Sequence, residues 1–432
     1  MAAVSEPVRV GLLGCGIVGS ALVRTLQRDA DHIAQRAGVA LEITRVAVRT
    51  ESKDRGLDLP PGVLTTDPAS VVTDPDVDVV VELIGGIEPA RDLILDALKA
   101  GKPVVTANKE LVANLGHELF EAADTAGVDL LFEAAVGGGI PLIRPLQQSL
   151  AGERIRRVVG IVNGTTNYVL TRMTEDGMAY ADALAEAQRL GYAERDPTAD
   201  VEGYDAAAKA AILATIAFGA RVVAGDVYRE GIAGVSADDI SYAERLGFVV
   251  KLLAVAELAN GGVGVRVHPA MVPITHPLAS VRESFNAVFI EGDTVGELML
   301  YGRGAGGEPS ASAVLGDLID AAVNLRRGVH RSLPTGGPTE VRSIDELSTE
   351  YYLSIDVLDE PGVLAAVAGA FGDHGVSIRS MEQLGLGDEA RLIFITHRAQ
   401  ERAVQATISA LRDLPAVDRI NSLLRVVGDT ES

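Results

Sequence analysis

The chain has 432 residues, is 47% hydrophobic and 23% charged, and carries a formal charge of −22. That length suggests about three domains at ~150 residues each, and the negative charge argues against nucleic acid or an anionic membrane as partner. A single cysteine rules out a disulfide framework, and no apolar leader or run of about 18 apolar residues appears, so a soluble cytoplasmic protein is expected.

The first predicted element is an apolar strand, Val8–Leu13, running into Gly14-Cys15-Gly16-Ile17-Val18-Gly19 and then a helical pattern to about Gln35. This is G-x-G-x-x-G in a strand–turn–helix context, where glycines permit the turn, the approach of a pyrophosphate and close helix packing. Gly14, Gly16, Ile17, Val18 and Gly19 are therefore candidate cofactor contacts. The next strand, Leu41–Val48, ends in Arg49, with Glu51 and Lys53 close behind. Arg49 and Lys53 suit a 2′-phosphate, so NADP is the expected dinucleotide, and Glu51 keeps NAD open.

Two further strand–helix units follow, with strands at Val77–Glu82 and Pro103–Thr106. Such alternation implies a parallel sheet covered on both faces, with ligands beyond the strand ends. Thr106, Asn108 and Lys109 occupy one such end and are expected near the nicotinamide. A strand over Asp129–Val136 leads into Gly137-Gly138-Gly139, where bare backbone can serve an ion or a hinge. The alternation stops near residue 137, which sets a domain change there.

A strand over 155–162 ends in Asn163-Gly164-Thr165-Thr166-Asn167, either a helix cap or a polar substrate turn. The densest chemistry lies in Gly191–Leu213, where Glu194, Asp196, Asp200, Glu202 and Asp205 crowd a loop before the alanine-rich helix carrying Lys209. Asp205 and Lys209 are four apart and share a helix face. A lysine on so apolar a helix is partly desolvated, and an acid partner keeps it charged. Later runs at Gly247–Leu253, Val263–Val272, Ala287–Glu291 and Glu297–Tyr301 predict a substantial sheet, covering the active site or building a dimer. A second glycine turn, Gly302–Gly307, opens a helix to about Arg327. Residues 328–349, with Gly336-Gly337-Pro338, read as a linker, and the last ~80 residues predict βαββαβ, a ferredoxin-like binding module.

Taken with GLLGCGIVG at 11–19, VVTANKELV at 104–112, EAAVGGGIP at 133–141, GIVNGTTNYVL at 160–170, GYAERDPTADVEGYDAAAKAAIL at 191–213 and GRGAGG at 302–307, the chain resembles the long, ACT-bearing homoserine dehydrogenases. DEPGVL at 359–364 is similar to an ACT effector loop. The resemblance implies an α/β protein in three parts. These are a Rossmann-type domain over 1–136 completed by 310–330, an α+β catalytic and dimerisation domain with a mixed sheet over 137–309, and, beyond a linker at 331–349, a ferredoxin-like ACT domain over 350–432. It implies reversible NAD(P)H-dependent reduction of aspartate 4-semialdehyde to homoserine, in threonine, methionine and isoleucine biosynthesis.

Position by position, Glu194, Asp200 and Asp205 match substrate-holding acids, Lys209 the paired lysine and Lys109 the lysine beside the nicotinamide. Glu133, Val136, Gly138 and Ile140 match a sodium or potassium site built largely from carbonyls, and Gly306 a cofactor contact. Asn163, Gly164 and Thr165 join the expected substrate set, and Asp359, Pro361, Gly362 and Val363 the effector loop, with threonine as the expected effector. A homodimer or homotetramer is expected. The competing readings are a dehydrogenase of another small amino-acid aldehyde, and a non-catalytic amino-acid sensor.

Overall fold

The structure, a computed structural model, describes residues 6–332, 339–385 and 389–428. The Gly336-Gly337-Pro338 portion of the expected linker lies outside the described residues. The chain divides into two compact units. One comprises 1–155, 211–226 and 286–339, the other 156–210, 227–285 and 340–432.

The first unit is built on a six-stranded parallel sheet. Its order is Leu64–Thr65, Leu41–Ala47, Val8–Leu13, Val79–Glu82, Val104–Thr106 and Leu130–Leu131. In chain order this reads 3-2-1-4-5-6, the doubly wound arrangement whose switch point lies beside the first strand. Val10, Leu12, Val79 and Val81 are buried in one core with Val314, Leu318 and Ala322 of the Gly307–Arg327 helix. A late segment thus completes the core of the N-terminal fold. The expected strand over Asp129–Val136 is shorter than predicted. Only Leu130–Leu131 pairs, and Glu133–Ala135 turns into a 3₁₀ helix. The cause is the Glu133 carboxylate, which turns inward to accept from the main-chain N–H groups of Leu142, Ile143 and Arg144.

The second unit is organised by a mixed sheet. The strands Phe248–Ala259 and Gly262–Pro273 form a long antiparallel hairpin whose turn, Asn260-Gly261, has both residues at positive φ, 49° and 78°. Ile155–Ile161 pairs antiparallel with the first of these. The C-terminal module has the strand order Val417–Val426, Ser348–Leu358, Glu389–Thr396, Ile378–Gly385, all neighbours antiparallel, with helices Val363–Asp373 and Glu401–Arg412. This 4-1-3-2 order is the ferredoxin-like topology. The module joins the rest of its unit through the end of Val417–Val426, where Arg425 and Val426 pair parallel with Ala270 and Met271. Among the described residues no helix is long and apolar enough to cross a membrane.

Candidate active site

In the first unit the three fingerprint glycines have separate reasons to lack a side chain. Gly14 has φ +97°, and a Cβ there would lie 2.8 Å from the Leu83 carbonyl oxygen beside the switch point. At Gly19 a Cβ would lie 2.6 Å from the Gly14 oxygen. Gly16 is under neither constraint, since nothing stands within 4 Å of its Cβ position and its φ is −84°. Open space at the second glycine is what backbone approach by a pyrophosphate requires. Gly16 also starts the Ile17–Ala37 helix with no side-chain cap, leaving first-turn N–H groups without a side-chain acceptor.

The second glycine turn lies against the first. A Cβ on Gly307 would fall 2.8 Å from the Ile17 side chain, and Gly306, at φ +127°, begins the Gly307–Arg327 helix, also without a side-chain cap. Two uncapped helix starts therefore converge, and both favour negative charge. Ile17 is 79% exposed there despite being apolar, and Val18 is half-buried. Arg49 and Lys53, exposed after the second strand, have no side-chain acid partner among the described residues. Together the two glycine turns fit the phosphates of a dinucleotide.

Thr106 is fully buried, and its hydroxyl donates to Glu82 Oε2 at 2.6 Å. The other Glu82 oxygen accepts from the N–H groups of Ile84 and Gly85, so this pair fixes the loop beyond the strand. Asn108 caps the Lys109–Ala126 helix through Leu111 N–H and donates to the Gly86 carbonyl. Lys109 opens that helix, half-buried. Asn108 was among the residues expected at this strand end, whereas Glu82, its other support, was not.

At the triple glycine, the Glu133 carboxylate is engaged by three main-chain N–H groups, and its carbonyl accepts a long bond from Val136 N–H at 3.4 Å. Main-chain oxygens of Val136, Gly138 and Ile140 accept no hydrogen bond among the described residues. No cluster of three His, Cys, Asp or Glu side chains is placed to hold a metal among those residues. The donor set is thus carbonyl oxygen, which suits a hard, weakly charged cation. Gly138 is held at φ +57°, and a Cβ there would strike the Gly304 oxygen at 2.4 Å, so the two glycine turns touch. Nearby, Asp317 accepts from Glu133 N–H and from Arg144. Burial, with Glu133 beside it, pushes the Asp317 carboxyl up to about 7.

In the second unit, Asn163 gathers the acids. Its Oδ1 accepts from Thr166 N–H, capping the Gly164–Glu175 helix, while its Nδ2 donates to Asp200 Oδ1 at 2.7 Å and Asp205 Oδ2 at 2.9 Å. The turn is therefore a helix cap whose other end holds two carboxylates. The same Asp205 oxygen accepts from Lys209 Nζ at 2.7 Å, and Lys209 also donates to the Val162 carbonyl at 2.7 Å. The pair is not a surface decoration, because the Lys209 and Asp205 side chains are only 12% and 11% exposed. With two of three ammonium protons engaged, one donor remains. Burial raises the Asp200 carboxyl above its ordinary range, opposed by the Asn163 hydrogen bond. Thr165 donates to the Tyr192 carbonyl, tying the turn to the acid-rich loop. Glu194 stands apart, exposed, its carboxylate outside this hydrogen-bonded group. In the C-terminal module, Asp359, Pro361 and Gly362 lie exposed between a strand and a helix, and Val363 is buried at the helix start. Asp359 accepts there from Gln383 at 3.3 Å.

Comparison with known proteins supplies the family. The description homoserine dehydrogenase matches residues 141–319, its NAD-binding domain residues 14–133, and an ACT domain residues 351–416. A homoserine dehydrogenase of Corynebacterium glutamicum is 50% identical over 431 residues, covering 98% of this chain and 96% of that one. The chain belongs to the homoserine dehydrogenase family. Members of known structure include a homoserine dehydrogenase from Thiobacillus denitrificans, 43% identical with a TM-score of 0.93 and 98% of each chain covered. A hyperthermophilic archaeal homoserine dehydrogenase in complex with NADPH is 29% identical, with a TM-score of 0.63, covering 74% of this chain and 98% of that one. As a homoserine dehydrogenase family member the chain is a nicotinamide-dependent oxidoreductase acting on a CH–OH group, with an ACT domain of the kind used in feedback regulation.

Proposed function

We propose that this chain interconverts homoserine and aspartate 4-semialdehyde, preferring NADP. The observation that carries the reading is the buried Asn163–Asp200–Asp205–Lys209 group, an acid–amide cradle with one ammonium donor to spare. Bound at its glycine cradle, the dinucleotide supplies or accepts the hydride. Reduction then needs a proton for the developing alkoxide, and the remaining Lys209 N–H is available to give it, directly or through water. In the oxidative direction the hydroxyl proton passes to the neutral amine. Asp205 and the Val162 carbonyl orient Lys209, and Asp200 with Asp205 suits the substrate's ammonium. Lys109, at the strand end, is the second proton-donor candidate, and Glu194 joins as the loop's remaining substrate acid. Arg49 and Lys53, without acid partners among the described residues, support the 2′-phosphate preference. The carbonyls of Glu133, Val136, Gly138 and Ile140 take sodium or potassium in this reading, and the Asp359–Val363 loop takes threonine in a homo-oligomer of cytoplasmic enzyme.

The test is homoserine-dependent reduction of NADP and NAD, with and without threonine, for the wild type and for K209A and K109A. Turnover favouring NADP, with kcat lost in one lysine variant, is the expected outcome. Turnover of a different small alcohol with rejection of homoserine would replace the substrate assignment.

A further inference from the structure

Lys251 sits in the Phe248–Ala259 strand and is 4% exposed. A buried ammonium normally keeps its charge by pairing with an acid. No carboxylate among the described residues forms an ion pair with this one. Its partners are two neutral oxygens, Val281 carbonyl at 2.6 Å and Asn167 Oδ1 at 3.1 Å. Burial pushes the amine down to about 8, so the arrangement costs stability while Lys251 is charged. The neighbouring acid, Glu175, is occupied by Arg282 at 2.8 Å.

The two oxygens belong to a single device. Asn167 turns its Nδ2 toward the carbonyls of Val281, Glu283 and Phe285, at 3.3, 2.9 and 3.2 Å. Lys251 holds the other end of the same amide and one of the same carbonyls. Together they gather the Val281–Phe285 loop, in which Glu283 has a positive φ of 56° that non-glycine residues rarely adopt. That loop bears on the cradle of the acid cluster, since a Cβ on Gly164 would meet the Ser284 carbonyl oxygen at 2.7 Å. Gly164 follows Asn163, and Asn167 lies one turn further on, its N–H donating to the Asn163 carbonyl.

We propose that Lys251 is a positioning residue for the substrate cradle: it fixes the Asn167 amide and the Val281–Phe285 loop, and through them the start of the helix that aims Asn163 at Asp200 and Asp205. The inference rests on the substrate reading of that cluster. Methionine at 251 keeps much of the length of the side chain but leaves Asn167 Oδ1 and the Val281 carbonyl without this donor in a buried site.

The experiment measures steady-state homoserine oxidation and thermal unfolding for K251M, K251Q, G164A, N163A and K251M/G164A. K251M should raise the homoserine KM about tenfold or more, one 1.4 kcal/mol step, with the dinucleotide KM within about twofold. K251Q, which restores one donor, should lie between K251M and wild type, and it carries the test if K251M does not fold. G164A pushes on the same contact from the other side, so its KM effect and that of K251M should be non-additive. A lowered melting temperature with unchanged homoserine KM in K251M or K251Q would reduce Lys251 to a structural residue and overturn the proposal. Strictly additive effects would do the same. N163A separates the two levels: if it leaves the homoserine KM unchanged, the substrate reading itself fails, whereas a raised KM in N163A alone refutes only the role of Lys251.

Discussion

Asn163→Ala removes one side chain that performs three tasks. The helix Gly164–Glu175 loses its cap, a change that typically costs ~1 kcal/mol and up to ~2. Asp200 and Asp205 each lose a donor at 2.7 and 2.9 Å, and hydrogen bonds to charged groups contribute ~1.5–3 kcal/mol apiece. Asp205 keeps Lys209, and the site is only partly closed to water, so the lower end applies. The expected destabilisation is ~4–5 kcal/mol, which for a unit of this size lowers the melting temperature by roughly 2–4 °C per kcal/mol. Asn163 also holds the Asp200 carboxyl down against burial, so its loss moves that group further up and shifts the acid limb of the kcat/KM profile to higher pH. Differential scanning calorimetry and a pH series of homoserine oxidation read the two effects separately. Asn163→Asp sharpens the reasoning: it preserves the cap acceptor but sets a third carboxylate against two others. Like charges crowded in the folded site hold protons longer than the unfolded chain does, so the stability of this variant should rise as pH falls. N163A with a native melting temperature and an unmoved acid limb would refute the account.

Three further outcomes are expected. Gly16→Ala should unfold like the wild type, because its Cβ meets nothing, yet weaken dinucleotide binding by titration fluorescence; Gly19→Ala should lose stability, since its Cβ would strike the Gly14 oxygen. Arg425→Met leaves Glu401, 2% exposed, without its cation and should cost ~3–5 kcal/mol in denaturant unfolding, with R425M/E401Q recovering most of it. Asp317, at about 7 when folded and 3.8 as a free side chain, holds its proton longer in the native state, so its contribution to stability falls as pH rises between those values; D317N should flatten that window of the pH–stability curve.

Much of the first unit was legible because its signals are local. Strand, glycine turn and helix sit within thirty residues of Val8 (roughly one βα unit), and each fingerprint glycine is explained by atoms nearby or by their absence. The Asp205–Lys209 pair was equally readable, since helical spacing alone puts the two on one face. What sequence could not give was the work of amides and carbonyls over long separations. Asn163 read as either a helix cap or part of a substrate turn, and that it caps while also holding two carboxylates depends on acids 37 and 42 residues away. Glu133 ended an apolar run that read as one strand, but its carboxylate closes on N–H groups 9, 10 and 11 residues ahead and bends the chain. Lys251 gave no signal at all, being a single polar residue in a strand pattern where alternation permits one.

The C-terminal module carries the same lesson to the level of domains. Its βαββαβ pattern announced a separable unit, and within itself it is one, with Leu353, Ile355, Val367, Phe371 and Phe394 forming part of its own core. Yet Arg425, 2% exposed, donates both to Glu401 of the module's second helix and to Glu230, which precedes it by 195 residues. Glu230 lies in a segment pressed against the turn before Asp205: the next residue, Gly231, would place a Cβ 2.3 Å from the Val201 carbonyl oxygen, and Ile232 N–H donates to that same oxygen. Breaking the Arg425–Glu401 pair would leave an uncompensated buried charge, whereas the Glu230 side chain is 35% exposed. The module and the segment beside the acid-bearing turn are therefore joined through one arginine shared between Glu401 and Glu230. Alternation along Val417–Val426 could only mark Arg425 as a polar residue among apolar ones; its partners, drawn from two remote segments, are what make it a joint.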